Sequence, residues 1–233
     1  MLKKTIVALD QLEVTEINQL MPKLRQFSYF KLGMEVFNKH GADYIKQFSE
    51  KYNKNIFLDL KLHDIPKTVE RGIKSLEGLD LSFLTIHLSG GMEMVQCAIE
   101  AQKTYLPNTS LLGVSYLTSL GNNDFKQLYG LDKSQVSDQF KRVFRLAAEC
   151  QIDGLVSSAF EIAMIKEIES NYNHNFIKVT PGIRLSSNEN DDQKRVMQPK
   201  DAIKEGADFL VIGRSITKAS NIEEVANILN EEI

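Results

Sequence analysis

Short apolar runs alternate along the chain with longer segments in which apolar residues recur every three or four positions. The short runs predict buried strands, and the longer segments predict amphipathic helices. The predicted strands are 5–10, 29–33, 56–62, 83–88, 110–117, 154–159, 176–180 and 209–213. The predicted helices are 14–27, 36–51, 66–76, 92–105, 136–150, 162–171 and 221–230.

This alternation of strand and helix is that of a (β/α)8 TIM barrel. A doubly wound sheet shares the alternation, but no GxGxxG or GxxxxGK[ST] motif follows any of the predicted strands. No linker, low-complexity tract or internal repeat divides the chain. We therefore expect the fold class α/β, with residues 1–233 forming one (β/α)8 barrel domain.

The third predicted strand carries an unusual set of charges. Its first residues are apolar, but Asp59 and Lys61 follow, and Asp64 comes in the turn after them. Side chains alternate along a strand with period two, so Asp59 and Lys61 are expected on the same face. One reading is a charged strand end that pairs locally, with Asp64 as helix N-cap and Pro66 in the first turn. The other is a functional site, because charges are rarely placed inside a fold unless they are paired.

Composition narrows the class of protein. The 233 residues are 42% hydrophobic and 25% charged, with a net charge of −3, which gives no support for binding to nucleic acid or to an anionic membrane. No apolar stretch is long enough to span a bilayer, and the apolar start of the chain is too short for a signal peptide. The cysteines are Cys97 and Cys150, without metal-ligand spacing. We expect a cytoplasmic protein without a disulfide framework.

Polar residues stand at the carboxyl ends of several predicted strands, where active sites of such barrels lie. They are Asp10, Lys31, Asp59 with Lys61, His87, Thr118, 181–184 and 213–215. The last group fits a phosphate site, since Gly213 lets backbone N–H groups approach an anion and Arg214 adds a bidentate guanidinium. A tight turn with a surface arginine is the alternative. The long polar stretch 185–200 is typical of a lid, and its Gln193 and Arg195 could cover a phosphate.

These residues together resemble the orotidine 5′-phosphate decarboxylase family, in particular its bacterial monofunctional branch. The third-strand motif, residues 58–69, reads LDLKLHDIPKTV, which is similar to the signature of that family. Further segments resemble the family in the expected order along the chain: 8–10, 31–33, 117–119, 180–184, 192–196 and 212–214. One departure is Leu185, where the family pattern has a proline.

The resemblance implies a role for each matched position, with no metal and no cofactor. Lys61 would protonate carbon six of the pyrimidine, and Asp59, Lys31 and Asp64 would complete the catalytic charge array. Asp64 and Thr68 would reach the site of the neighbouring subunit, which makes the expected assembly a homodimer. The further substrate-binding residues implied are Asp10 and Lys31 for the ribose, Thr118 and Pro181 for the pyrimidine, Gln193 for base and phosphate, and Arg184, Gly213 and Arg214 for the base-side loop and the 5′-phosphate.

Two other functions remain open from the sequence. A related barrel with the same Asp-x-Lys-x-x-Asp pattern acts on ketohexose phosphates through a magnesium-stabilised enediolate, and it would need a carboxylate site such as Glu35 with Asp64. A non-catalytic phosphate-binding barrel is the more distant alternative. His87 is interpreted as part of the turn before the paired glycines, and His63 as a packed or supporting group.

Overall fold

The eight predicted strands form a closed parallel barrel in the computed structural model, which describes residues 2–185 and 197–231. The strands are β1 Thr5–Ala8, β2 Tyr29–Gly33, β3 Asn55–Leu62, β4 Phe83–His87, β5 Ser110–Val114, β6 Gly154–Val156, β7 Ile177–Thr180 and β8 Phe209–Ile212. Each strand pairs with the next along the chain, and β8 closes on β1, where Ile6 is the register partner of Val211. The predicted (β/α)8 barrel is confirmed.

Helices follow the strands around the outside of the barrel. They are α1 Val14–Leu20, α2 Met34–Tyr52, α3 Pro66–Lys74, α4 Gly91–Tyr105, α5 Asn122–Tyr129, α6 Lys133–Cys150, α7 Ile162–Tyr172, α8 Pro199–Glu205, α9 Arg214–Thr217 and α10 Ile222–Glu231. In the part of the chain that the structure describes, no helix has both the length and the apolar character needed to cross a membrane.

Two apolar layers hold the barrel together. The inner layer fills the barrel and consists of inward-facing side chains from six of the eight strands: Ile6, Phe57, Phe83, Leu112, Val179 and Val211. The outer layer is larger and lies between strands and helices, where Phe30, Phe48 and Phe144 are almost completely buried. Side chains of one strand thus serve both layers in alternation, as the period-two geometry of a strand requires.

Several predicted boundaries were wrong. The strands predicted at 5–10, 110–117 and 154–159 end at Ala8, Val114 and Val156, because beyond the rim the chain leaves the barrel and forms loops. The helix predicted at 14–27 ends at Leu20 and continues as a 3-10 turn at Met21–Leu24, where Pro22 cannot donate a helical hydrogen bond. The helix α5 was not predicted, since Phe125 is its one buried residue and leaves little periodicity to read.

The interpretation of Asp64 as a helix N-cap was also wrong. Ile65 is the residue that precedes α3, and Pro66 occupies the first helical position as expected. The Asp64 carboxylate accepts a hydrogen bond from the Ile65 backbone N–H at 2.7 Å instead of reaching into the helix. Asp64 therefore ends the β3 loop and remains exposed at the rim of the barrel.

Candidate active site at the carboxyl ends of the strands

A cavity of about 370 Å³ opens at the carboxyl ends of the strands. Nine of the residues proposed from the sequence line it: Asp10, Lys31, Asp59, Lys61, Thr118, Pro181, Arg184, Gly213 and Arg214. Its floor is apolar and includes Phe57 and Val211, which also belong to the inner layer of the barrel. The fold thus brings polar groups from β1, β2, β3, β5, β7 and β8 to the wall of one cavity.

A chain of ion pairs crosses one side of this cavity. The Lys31 ammonium contacts the carboxylates of both Asp10 and Asp59, the second at 3.2 Å. The Lys61 ammonium donates a hydrogen bond to the same Asp59 oxygen at 2.8 Å. Asp59 therefore lies between two ammonium groups, with only 9% of its side chain exposed. The order of charges along the chain is acid, base, acid, base.

The surroundings keep Lys31 and Asp59 charged in spite of their burial. Burial favours the neutral form of Asp59, but the Lys31 and Lys61 ammonium groups together with a hydrogen bond from Thr85 hold the pKa of Asp59 below its ordinary value. Burial likewise favours the neutral form of Lys31. The nearby carboxylates of Asp59 and Asp10 outweigh this effect of burial, so the pKa of Lys31 is raised. The charges on Lys31 and Asp59 therefore depend on each other.

Lys61 reaches Asp59 by a distorted backbone rather than by regular strand geometry. Its φ angle is 49°, in the left-handed region, which costs a residue with a side chain about 1–3 kcal/mol. The pairing of β3 with β4 shifts register here, since Leu58 pairs with Leu84 and Leu62 pairs with Ile86. The predicted proximity of Asp59 and Lys61 is thus confirmed, but it depends on a β-bulge that the alternation pattern does not reveal.

Thr85 is a residue of the site that the sequence reasoning missed. Its hydroxyl accepts a hydrogen bond from the Lys61 backbone N–H at 2.8 Å and donates one to Asp59 Oδ1 at 2.9 Å. The residue is fully buried on β4, between apolar neighbours. The available signal was a single hydroxyl in the otherwise apolar run 83–86.

Two glycines lie beside the polar groups, and Gly33 is the one that gives them room. A Cβ atom at Gly33 would overlap the Asp10 carboxylate, so glycine there lets Asp10 approach Lys31. At Gly213 a Cβ atom would meet the Ala8 side chain only at 3.6 Å, which is an ordinary contact. Space within the protein therefore does not require glycine at 213.

Gly213 and Arg214 connect β8 with α9. The backbone carbonyl of Gly213 accepts hydrogen bonds from Ile216 and Thr217, which fixes the first turn of that short helix. Thr217 and Gln11 also line the cavity, and Gln11 was not proposed from the sequence. Gln11 follows Asp10 with a left-handed φ of 64°, so the loop after β1 bends sharply at the cavity wall.

His87 and His63 form a pair of rings beside Lys61. Their ring centroids are 5.3 Å apart, with His87 half-buried at the end of β4 and His63 exposed. Burial, together with electrostatic interactions with His63 and Lys61, lowers the pKa of His87 to about 4. His87 directly precedes the 3-10 turn Leu88–Gly90. This position agrees with the prediction from the sequence that His87 belongs to a turn.

The other sequence-proposed residues lie apart from the cavity or outside the described ranges. Asp64 and Thr68 are exposed, on the loop after β3 and in α3. Gln193 and Arg195, proposed for the lid, lie outside the described residues. Leu185, where the family pattern has a proline, is partly buried and packs against the outer apolar layer.

Comparison with known proteins agrees with this geometry. Residues 3–228 match the family model described as "Orotidine 5'-phosphate decarboxylase / HUMPS family". The chain belongs to this family. The resemblance stated from the sequence motifs is therefore confirmed, and the match covers all eight strands of the barrel.

Members of the orotidine 5′-phosphate decarboxylase / HUMPS family resemble the chain over nearly its whole length. A protein of Legionella pneumophila (strain Paris) named orotidine 5′-phosphate decarboxylase is 42% identical, with both chains covered completely. A protein of the same name from Malacoplasma penetrans is 37% identical over 94% of this chain and 93% of its own. The crystal structure of orotidine 5′-phosphate decarboxylase from Lactobacillus acidophilus superposes with a TM-score of 0.80 at 31% identity, over 99% of this chain and 98% of that one.

Proposed function

We propose that the protein is an orotidine 5′-phosphate decarboxylase, a carboxy-lyase that converts orotidine 5′-monophosphate to uridine 5′-monophosphate and CO2 in pyrimidine biosynthesis. The observation that carries the proposal is the Asp59 carboxylate held between the Lys31 and Lys61 ammonium groups at the cavity wall. The names of the relatives support the same activity.

The chemistry explains why such a charge array is useful. Loss of CO2 from carbon six leaves a carbanion in an orbital that the pyrimidine π system does not stabilise, and decarboxylases of other classes use an organic cofactor as electron sink. In this proposal the Lys61 ammonium stabilises the developing charge and then donates its proton to carbon six. Asp59 keeps Lys61 oriented through the 2.8 Å hydrogen bond, and Lys31 balances the charge of Asp59.

Repulsion between Asp59 and the substrate carboxylate is a smaller contribution. Two like charges about 4 Å apart interact by roughly 4 kcal/mol at an effective dielectric of about 20. Large enzymatic rate enhancements require on the order of 20 kcal/mol. Most of the barrier reduction must therefore come from stabilising the transition state and from binding energy used to position the substrate.

The remaining residues are proposed to hold the nucleotide. Asp10 and Lys31 would bind the ribose hydroxyls, and Thr118 with Pro181 would contact the pyrimidine. Arg184, Gly213 and Arg214 would contact the 5′-phosphate and the protein loop beside the base. Gln193 would bridge the base and the phosphate. The support is that the described members of this set line a single cavity that also has an apolar floor.

The proposed active unit is a homodimer in the cytoplasm. Asp64 and Thr68 would complete the catalytic site of the partner subunit, so that Asp64 extends the charge array across the interface. The support is their exposure beside Ile65, an apolar side chain that is 68% exposed.

The absorbance change of orotidine 5′-monophosphate tests the proposal directly. We expect chelator-treated wild-type protein to convert the nucleotide and Lys61→Ala to lose nearly all turnover while it still binds the product nucleotide. Absence of conversion by wild type would refute the proposal and favour the ketohexose-phosphate function, to be tested with magnesium. Equal activity of Lys61→Ala would refute the role of Lys61. The metal site that the ketohexose-phosphate function would need, Glu35 with Asp64, is not part of any group of three or more His, Cys, Asp or Glu side chains that could hold a metal ion among the described residues.

A further inference from the structure

The hydroxyl of Thr85 connects the two residues on which the proposed chemistry depends. The hydroxyl accepts a hydrogen bond from the Lys61 backbone N–H at 2.8 Å and donates one to Asp59 Oδ1 at 2.9 Å. The other oxygen of that carboxylate, Asp59 Oδ2, accepts a hydrogen bond from the Lys61 ammonium at 2.8 Å. These three contacts form a closed ring through β3 and β4. Thr85 has no exposed surface, so it cannot itself touch a nucleotide in the cavity.

The β-bulge at Lys61 explains why a hydroxyl is needed on β4. Four steps along β3, from Leu58 to Leu62, correspond to only two along β4, from Leu84 to Ile86. A bulge leaves backbone groups without their regular ladder partners, and a buried N–H without a partner is unfavourable. The Thr85 side chain supplies the acceptor for the Lys61 N–H at the point where the β4 backbone does not.

The same hydroxyl also fixes the second carboxylate oxygen of Asp59. A hydroxyl has one donor hydrogen and two acceptor lone pairs, so one Thr85 side chain can make both contacts at the same time. Valine has nearly the same volume as threonine and would also suit a fully buried position on β4, so packing alone does not account for threonine here. The role of the Thr85 hydroxyl is therefore to make its two hydrogen bonds, one with the Lys61 backbone and one with the Asp59 carboxylate.

We infer that Thr85 is a positioning residue that holds the left-handed backbone of Lys61 and the carboxylate of Asp59 in their reactive arrangement. This inference rests on the proposed function, in which Lys61 and Asp59 act on the substrate. Thr85 makes no contact with the nucleotide in this scheme. Its loss should therefore lower the rate of the chemical step and leave nucleotide binding nearly unchanged.

The test compares Thr85→Val, Thr85→Ser and the matched control Thr109→Val in the steady-state decarboxylation assay. Thr109 is also buried, and its hydroxyl donates a 2.9 Å hydrogen bond to the Leu81 carbonyl at the opposite end of the barrel. We expect Thr85→Val to lower kcat about 30-fold, or roughly 2 kcal/mol, with KM within about twofold of wild type. Thr85→Ser keeps the hydroxyl and should stay within about threefold of wild-type kcat.

The control separates positioning from loss of stability. Thr109→Val should lower the melting temperature about as much as Thr85→Val does and should leave kcat unchanged. Wild-type kcat in Thr85→Val, an equal loss of kcat in Thr109→Val, or a serine variant as impaired as the valine variant would overturn the inference.

Crystal structures distinguish failure of this inference from failure of the proposed function. If wild-type protein does not decarboxylate the nucleotide, the proposed function fails, and the inference is then judged on the geometry of Thr85→Val. We expect Lys61 to leave its left-handed conformation or its ammonium to separate from Asp59 in that variant. Unchanged Lys61 and Asp59 in the variant would overturn the inference independently of any activity.

Discussion

At the scale of single residues, the site combines groups that are charged with groups that must stay neutral. Asp59 is kept ionised by two ammonium groups, and its lowered pKa implies a contribution to stability that is present at neutral pH and is lost only in strong acid. His87, a neighbour of Lys61, has its pKa lowered to about 4 and remains neutral over the physiological range. A neutral ring there adds no further positive charge beside the Lys61 ammonium.

We predict that His87 makes stability fall as the pH falls from about 6.5 to about 4. In the unfolded chain a histidine takes up a proton near pH 6.5, whereas folded His87 resists protonation until about pH 4. The unfolded state therefore binds more protons throughout this window, and stability decreases with falling pH. Urea unfolding should show a smaller loss between pH 7 and pH 5 for His87→Asn than for wild type. The same loss in both proteins would contradict the prediction, and His40→Asn serves as the control.

At the scale of elements, loops and short helices carry much of the cavity wall and are held by aromatic packing. Helix α5 is anchored by Phe125, which is fully buried. Its ring packs against Tyr116 with centroids 5.1 Å apart and against Phe140 of α6 at 5.8 Å. Tyr116 follows β5 and precedes Thr118, so this cluster supports the rim that carries a proposed pyrimidine contact.

We predict that Phe125→Ala destabilises the protein by about 3–5 kcal/mol, because it leaves a cavity in this aromatic cluster. Tyr129→Ala removes an aromatic ring from the same helix, but Tyr129 is 45% exposed and its loss should cost clearly less. Free energies of unfolding from urea titrations compare the two variants. Equal losses would show that α5 is not anchored through Phe125.

At the scale of the whole molecule, our proposal divides the active site between two subunits. The barrel supplies Asp10, Lys31, Asp59 and Lys61 from its own strands and loops, whereas Asp64 is exposed in the turn after β3 and is not among the residues that line the cavity. If Asp64 acts on the partner, each active site contains Lys61 from one chain and Asp64 from the other. Two different inactive variants can then complement each other.

We predict that mixing Lys61→Ala with Asp64→Ala subunits restores activity. After subunit exchange at equal amounts, half of the dimers are mixed, and each mixed dimer contains one site with both native residues, so that about a quarter of wild-type activity should return. Each variant assayed alone is the control. No recovery, with exchange confirmed by mass spectrometry, would place Asp64 outside the partner's site.

Local patterns were sufficient to predict much of this protein. The alternation of apolar strands and amphipathic helices predicted the barrel, because burial on both faces of a strand and on one face of a helix leaves a trace in consecutive residues. The position of Asp59 and Lys61 near a strand end predicted that they would lie together at the rim. Boundaries were less well predicted, since β5 and β6 end where the barrel rim ends rather than where the apolar run does.

By itself, the sequence determined the order of elements and the chemical types of side chain at the carboxyl ends of the strands. Only the tertiary structure decided which of these side chains meet. Lys31 reaches both Asp10 and Asp59 because β2 lies between β1 and β3, and Lys61 turns toward Asp59 through a bulge stabilised by Thr85 on β4. Such contacts join residues distant in sequence, and their geometry depends on closure of the barrel and on register shifts that no local pattern encodes.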